Sequence, residues 1–115
     1  MDGRVLYIEH AEARRRYLRA RNRRQEIETS PEWRNSPRFN DELETAEIRE
    51  AKRKKELEAV RDELKRSSDL VDRVYYYAFV EKRKRAYIAR MTGYSERQIF
   101  RIIGQIKENM EQSLN

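Results

Sequence analysis

Near the end of this chain, Glu96-Arg97-Gln98-Ile99-Phe100-Arg101, followed by Gln105, sets guanidinium, amide, carboxylate and aromatic groups at helical spacing. Arg97 and Arg101 are four residues apart and so share a helix face. Arg can bond guanine through two parallel hydrogen bonds, and Gln can bond adenine in the same way. A helix presenting Glu96, Arg97, Gln98, Phe100, Arg101 and Gln105 outward therefore has the chemistry to read base edges in a major groove. Groups that bond phosphate stand around it: the run Lys82-Arg83-Lys84-Arg85 just before, Tyr94 and Ser95 at its start, and Lys107 beyond. Such contacts hold a nucleic-acid backbone without selecting its sequence. The bland alternative is a helical hairpin whose polar face and basic corner are only solvated.

These residues need two short helices and a sharp turn. Gly93 lies between two helical patterns and can take the left-handed conformation that a tight reversal requires. Ser95 can cap the backbone N–H of Gln98 while the Gln98 side chain reaches back to the Ser95 N–H, a capping box that starts the second helix at Glu96. Ile99, Ile102, Ile103 and Ile106 recur at spacings of three and four, giving that helix an apolar face to pack. Tyr87, Ile88 and Ala89 give the preceding helix its own apolar side, with small Ala89 at the closest approach. The pattern predicts a helix-turn-helix with a second helix over residues 96–107.

The stretch Tyr77-Ala-Phe-Val-Glu-Lys-Arg-Lys-Arg-Ala-Tyr-Ile-Ala-Arg-Met-Thr-Gly-Tyr-Ser-Glu-Arg-Gln-Ile-Phe-Arg-Ile102 resembles the ArpU/RinA group of phage-encoded late transcription regulators. It is also similar to the fourth conserved region of sigma factors. The Gly93-Tyr94-Ser95-Glu96-Arg97 core carries the resemblance, which extends over roughly residues 70 to 107. Upstream, Trp33-Arg34-Asn35-Ser36-Pro37 ahead of an acidic helix start follows the same layout. The chain departs from the group in Ala78-Phe79, where Arg-Tyr is common, and in Ala86-Tyr87, near a usual Trp. The resemblance implies a phage or prophage protein that binds double-stranded DNA and activates late genes in the cytoplasm of a bacterial host, with room for contact to host RNA polymerase.

Composition supports a polyanionic partner without choosing one. The net charge is +6, 42% of residues are charged and 37% are hydrophobic. A basic balance favours salt-sensitive association with nucleic acid. In 115 residues this leaves only a small core, so extended helices or a partner must supply burial. Three Gly and two Pro can break few helices, and no stretch alternates as a strand would, so the fold is expected to be all-α, with long helices leading into the C-terminal helix-turn-helix. No apolar run reaches the roughly 18 residues of a membrane span. The absence of Cys fits a reducing cytoplasm. His10 is the sole imidazole, with no compact carboxylate set beside it and no Gly-rich phosphate loop elsewhere. Catalytic, metal and cofactor sites are therefore not expected.

Four segments follow from the N-terminus. Residues 1–28 contain a helix from about Arg4 to Ile27, with Arg14, Arg15, Arg16, Arg19, Arg21, Arg23 and Arg24 crowded along it. These either contact phosphate or pair with Asp41, Glu42, Glu44, Glu47 and Glu50. Residues 29–40, with both prolines, read as a linker in which Trp33 and Phe39 anchor against a helix or meet a partner. Residues 41–69 are a long charged helix capped by Asn40 or Asp41. Its apolar positions Leu43, Ala46, Ala51, Leu57, Val60 and Leu64 continue to Val71 and Val74 in a patchy seven-residue seam. That seam can pack on the N-terminal helix or on a second copy as a homodimer. Residues 70–112 hold the helix-turn-helix, which Ser67-Ser68-Asp69 either caps or continues into. Of Tyr75, Tyr76 and Tyr77, at least one must leave the core. A small terminase-like packaging protein and a helical adaptor for a host protein are the competing functional readings.

Overall fold

A computed structural model describes residues 4–114, and among them every regular element is a helix. The elements are α1 (Leu6–Thr29), α2 (Pro31–Arg34), α3 (Phe39–Arg66), α4 (Leu70–Tyr75), a π-helical turn (Tyr76–Val80), α5 (Arg85–Thr92) and α6 (Glu96–Leu114). The protein is all-α. No helix among the described residues is long and apolar enough to cross a membrane. The chain forms two compact units, one of residues 12–59, the other combining the chain up to Ala11 with the chain from Val60 onward.

In the unit of residues 12–59, α1 and α3 run antiparallel. Ala13, Ala20 and Ile27, seven residues apart on α1, are all buried, as are Ala46 and Leu57 on α3. Seven-residue spacing keeps one stripe on a facing helix. Arg24 clasps Glu50 through two bonds, Nε to Oε1 at 2.8 Å and Nη2 to Oε2 at 3.1 Å, and also reaches Glu28 at 2.8 Å. Of the five acids expected to pair with the arginine-rich helix, Glu50 does so among the described residues, while Glu42 pairs with Arg38 instead.

The segment between these helices differs from the expected linker. Pro31 opens α2, where its missing N–H costs nothing, and Trp33 lies half-buried with the Arg23 guanidinium 5.1 Å from its ring centre. α3 then begins at Phe39, so Asn40 and Asp41 lie inside its first turn rather than capping it. Ser36 serves the helix start, accepting the Arg38 N–H at 3.2 Å. Ala51 is exposed because it falls off the stripe that Ala46 and Leu57 define.

The Arg24 guanidinium holds the Glu50 carboxyl below the usual carboxylate range. A carboxylate with a depressed folded-state pKa stabilises above its ordinary value, about 4.3, and loses that contribution as pH falls through the lowered one. Glu50→Gln is thus expected to lower the melting temperature at neutral pH. The gap to the parent protein should narrow as pH falls below that ordinary value and close only once pH is below the lowered one. Thermal melts followed by Trp33 fluorescence at both pH values check this, and a gap that persists in acid contradicts it.

In the other unit, Tyr7 from α1 and Leu64 from α3 join Val74, Tyr75, Ile88, Ile99 and Ile106 in one buried cluster. Leu57 and Leu64 are both buried within the single chain, so the seven-residue row they share is not left open for a second copy. Tyr75 stacks on Phe79 with ring centres 5.2 Å apart, and its hydroxyl lies 2.7 Å from His10 Nδ1. The sole imidazole is thus a core group. Tyr76 and Tyr77 are half-buried. Asp69 caps α4 by accepting the Asp72 N–H at 3.2 Å, while the Ser67 hydroxyl donates to Asp72 at 2.8 Å, so the rod breaks at residues 67–69. Burial raises the Asp72 carboxyl pKa, so its contribution to stability runs opposite to that of Glu50: full in acid, lost as pH climbs through the raised value.

Candidate nucleic-acid interface

The turn between α5 and α6 follows its local sequence. Gly93 has φ 79° and ψ 9°, the left-handed conformation, and its N–H donates to Ala89 O at 2.9 Å. A Cβ here would meet nothing within 4 Å. Gly93→Ala should therefore cost only the backbone penalty, about 1–2 kcal/mol, visible as a lower unfolding midpoint in urea. A change below about 0.3 kcal/mol would contradict that reading.

Ser95 then makes the capping box. Its N–H donates to Gln98 Oε1 at 2.9 Å, and the Gln98 N–H donates to Ser95 Oγ at 3.2 Å. The Ser95 hydroxyl itself donates to the same Gln98 oxygen at 3.0 Å. This corrects the place of Gln98 among the base-facing residues. Bonding adenine bidentately needs a free amide oxygen and a free amide N–H together, and here the oxygen is committed twice. The same bond occupies the Ser95 hydroxyl proton.

α6 buries Ile99 and Ile106 completely and Ile102 and Ile103 in part. Ile88 of α5 is equally buried opposite them in the cluster. Glu96, Arg97, Phe100, Arg101 and Gln105 lie on the exposed side, Phe100 at 60% exposure. Arg97 and Arg101 stand about 6 Å apart along the helix axis at the usual rise. α6 runs seven residues past the expected end at 107, to Leu114. Met110, partly buried against the core, extends the Ile99, Ile103, Ile106 stripe, and Asn109 Nδ2 donates to the Tyr7 hydroxyl at 2.8 Å. The Met110 spacing was the signal for these extra turns.

The basic corner is the connection from the π-helical turn to α5. The Glu81 N–H bonds Tyr76 O, and the Arg83 N–H bonds Tyr77 O. Lys82 takes φ 59°, a left-handed conformation without glycine, which puts strain of about 1–2 kcal/mol into this corner. Arg83, Lys84, Arg85, Ala86 and Glu96 line one open groove. Arg83 lies 4.5 Å from the Tyr87 ring centre and 3.3 Å from Glu81, and Arg85 lies 5.0 Å from the Phe100 ring centre. Cation–π contacts of this kind orient guanidiniums while leaving their N–H edges free to donate. Arg85 thereby joins the basic corner to the outer face of α6, and Glu96 adds the groove's single carboxylate. Tyr94 is exposed in the turn, and Lys107 is exposed two turns beyond Phe100, outside that groove.

Among the described residues no group of His, Cys, Asp or Glu could hold a metal ion. Compared with protein-family models, curated proteins and solved structures, the chain matches none.

Proposed function

We propose that the protein is a sequence-specific regulator of transcription that places α6 in the major groove of double-stranded DNA. The observation that carries this reading is the division of α6 into a buried isoleucine face and an exposed face bearing Arg97, Phe100, Arg101 and Gln105, beside the basic groove at residues 83–85. A recognition helix must be anchored on one side and offer donors on the other. Arg97 and Arg101 are spaced for neighbouring guanines, and Phe100 can meet a thymine methyl. Glu96 can accept from cytosine N4. Lys82, Arg83, Lys84 and Arg85, with Lys107 and Tyr94, grip flanking phosphate. Gln98 serves the cap and takes no part in reading bases. Activation of late phage or prophage genes, and contact with host RNA polymerase, rest on the resemblance to the ArpU/RinA group.

The test is a footprint and gel-shift titration on DNA upstream of the neighbouring operon, at two salt concentrations and with excess competitor DNA. A protected site that survives competitor is the expected result. Sequence-blind binding overturns it in favour of a packaging protein, and no binding at all in favour of a helical adaptor.

A further inference from the structure

The arginine-rich part of α1 meets α3 in an arrangement that the proposed recognition helix does not use. Arg16, Arg19 and Arg23 of α1 and Arg49 and Arg53 of α3 line a single groove floored by Ala20. No carboxylate lines it, while Glu42 lines the adjoining cavity that shares Ala20, Arg23 and Arg49. Ala20 is on the buried stripe of α1, and Arg53 stands seven residues from both Ala46 and Val60 on α3. A leucine at either position would fill the gap between the helices; the small residue and the guanidinium keep it open and basic. Arg16, Arg23 and Arg53 each keep an acid on their own helix, Glu12 at 3.9 Å, Glu26 at 3.4 Å and Glu56 at 2.8 Å. Arg19 and Arg49 have no ion pair among the described residues. Glu56 acts on Arg16 as well as Arg53, so the charge left without an acid partner in the groove is that of Arg19 and Arg49, and an anion brought beside them gains attraction.

We infer that this groove binds the phosphodiester backbone of a nucleic acid, independently of base sequence and of the α5–α6 pair. Arg16 to Arg23 spans about 10.5 Å along α1 and Arg49 to Arg53 about 6 Å along α3. A duplex strand carries one phosphate per roughly 3.4 Å of axis, so each row faces two to three successive phosphates. The planar guanidinium fork matches phosphate oxygens bidentately. Besides arginine the lining offers only the Ala20 methyl, with no aromatic ring to stack a base and no amide to read one. That poverty also argues against an acidic protein as the occupant, because protein interfaces are built around buried apolar anchors.

The experiment is fluorescence anisotropy of the full chain with short random-sequence duplexes, one of DNA and one of RNA, across a salt series. The variants are Arg19→Gln/Arg49→Gln and, as a lighter change, Arg19→Gln alone. Both residues are exposed and without ion pairs, and far-UV circular dichroism verifies the helices. Expected is a fall of about 1.8 in the slope of log affinity against log salt for the double variant and about 0.9 for the single one. The duplex that shows the loss identifies the source, DNA, RNA or both. The site-reading variant Arg101→Ala should lower the slope on random sequence by well under the roughly 0.9 expected of Arg19→Gln, which separates failure of this groove from failure of the α6 reading. Unchanged slopes on both duplexes overturn the inference. Equal or greater loss of binding to polyglutamate assigns the groove to acidic protein and overturns it as well.

Discussion

Replacing Ile99 with alanine should destabilise the unit that carries α5 and α6 by about 2–5 kcal/mol, the range found when a large aliphatic side chain is cut back in a core. Ile99 has no exposed surface and sits in the cluster with Ile88, Val74, Tyr75 and Ile106. Its neighbours come from three helices, so collapse into the cavity would require backbone movement, and the cost should fall in the upper part of that range. A small domain has about 5–15 kcal/mol in total, so the loss is a large fraction of what holds the unit together. Two optical probes can locate it. Trp33, the one tryptophan, lies in the unit of residues 12–59, whereas six of the seven tyrosines, all but Tyr17, lie in the other. Near-UV tyrosine signals should melt earlier in Ile99→Ala by several degrees. A melting curve superposable on that of the parent would mean that Ile99 does not anchor α6.

Arg101→Ala should weaken binding to the matched DNA site by about 1–3 kcal/mol, or roughly 5- to 150-fold, while random-sequence affinity changes much less. The guanidinium is exposed on the outer face of α6, so its removal leaves the isoleucine anchor intact and the melting temperature within about a degree or two of the parent. Lys84→Ala, in the basic groove, should behave in the contrary way: affinity for every sequence falls together, and the salt slope drops by about 0.9. Quantitative gel shifts on site and non-site duplexes, with each variant at two salt concentrations, separate the two behaviours. Equal losses on site and non-site DNA for Arg101→Ala would remove that residue from base reading and leave it a phosphate contact.

What could be read from the sequence is what neighbouring residues decide among themselves. Few glycines and prolines, with no alternating pattern, suffice for an all-helical chain. The left-handed turn at Gly93 and the Ser95–Gln98 box involve partners within four residues of each other, so a short window contains the whole interaction. The isoleucine face of α6 is likewise local, since helical geometry alone aligns residues three and four apart. Even the double assignment of Gln98, as both cap and base reader, is a local conflict that the geometry resolves for the cap.

The tertiary structure decided what depends on which faces meet. α6 runs to Leu114 with Met110 against the core and Asn109 bonded to Tyr7, 102 residues away in sequence. Periodicity could mark Leu57 and Leu64 as a seam, yet a stripe does not name its occupant, and burial within one chain settles that for these two. Arg19 and Arg49 lie thirty residues apart in sequence and line one groove only because α1 and α3 fold back on each other. Charge patterning along one helix shows how many cations there are. Where they converge is set by the antiparallel pairing of α1 with α3, whose shared stripe buries Ala13, Ala20 and Ile27 on one helix and Ala46 and Leu57 on the other.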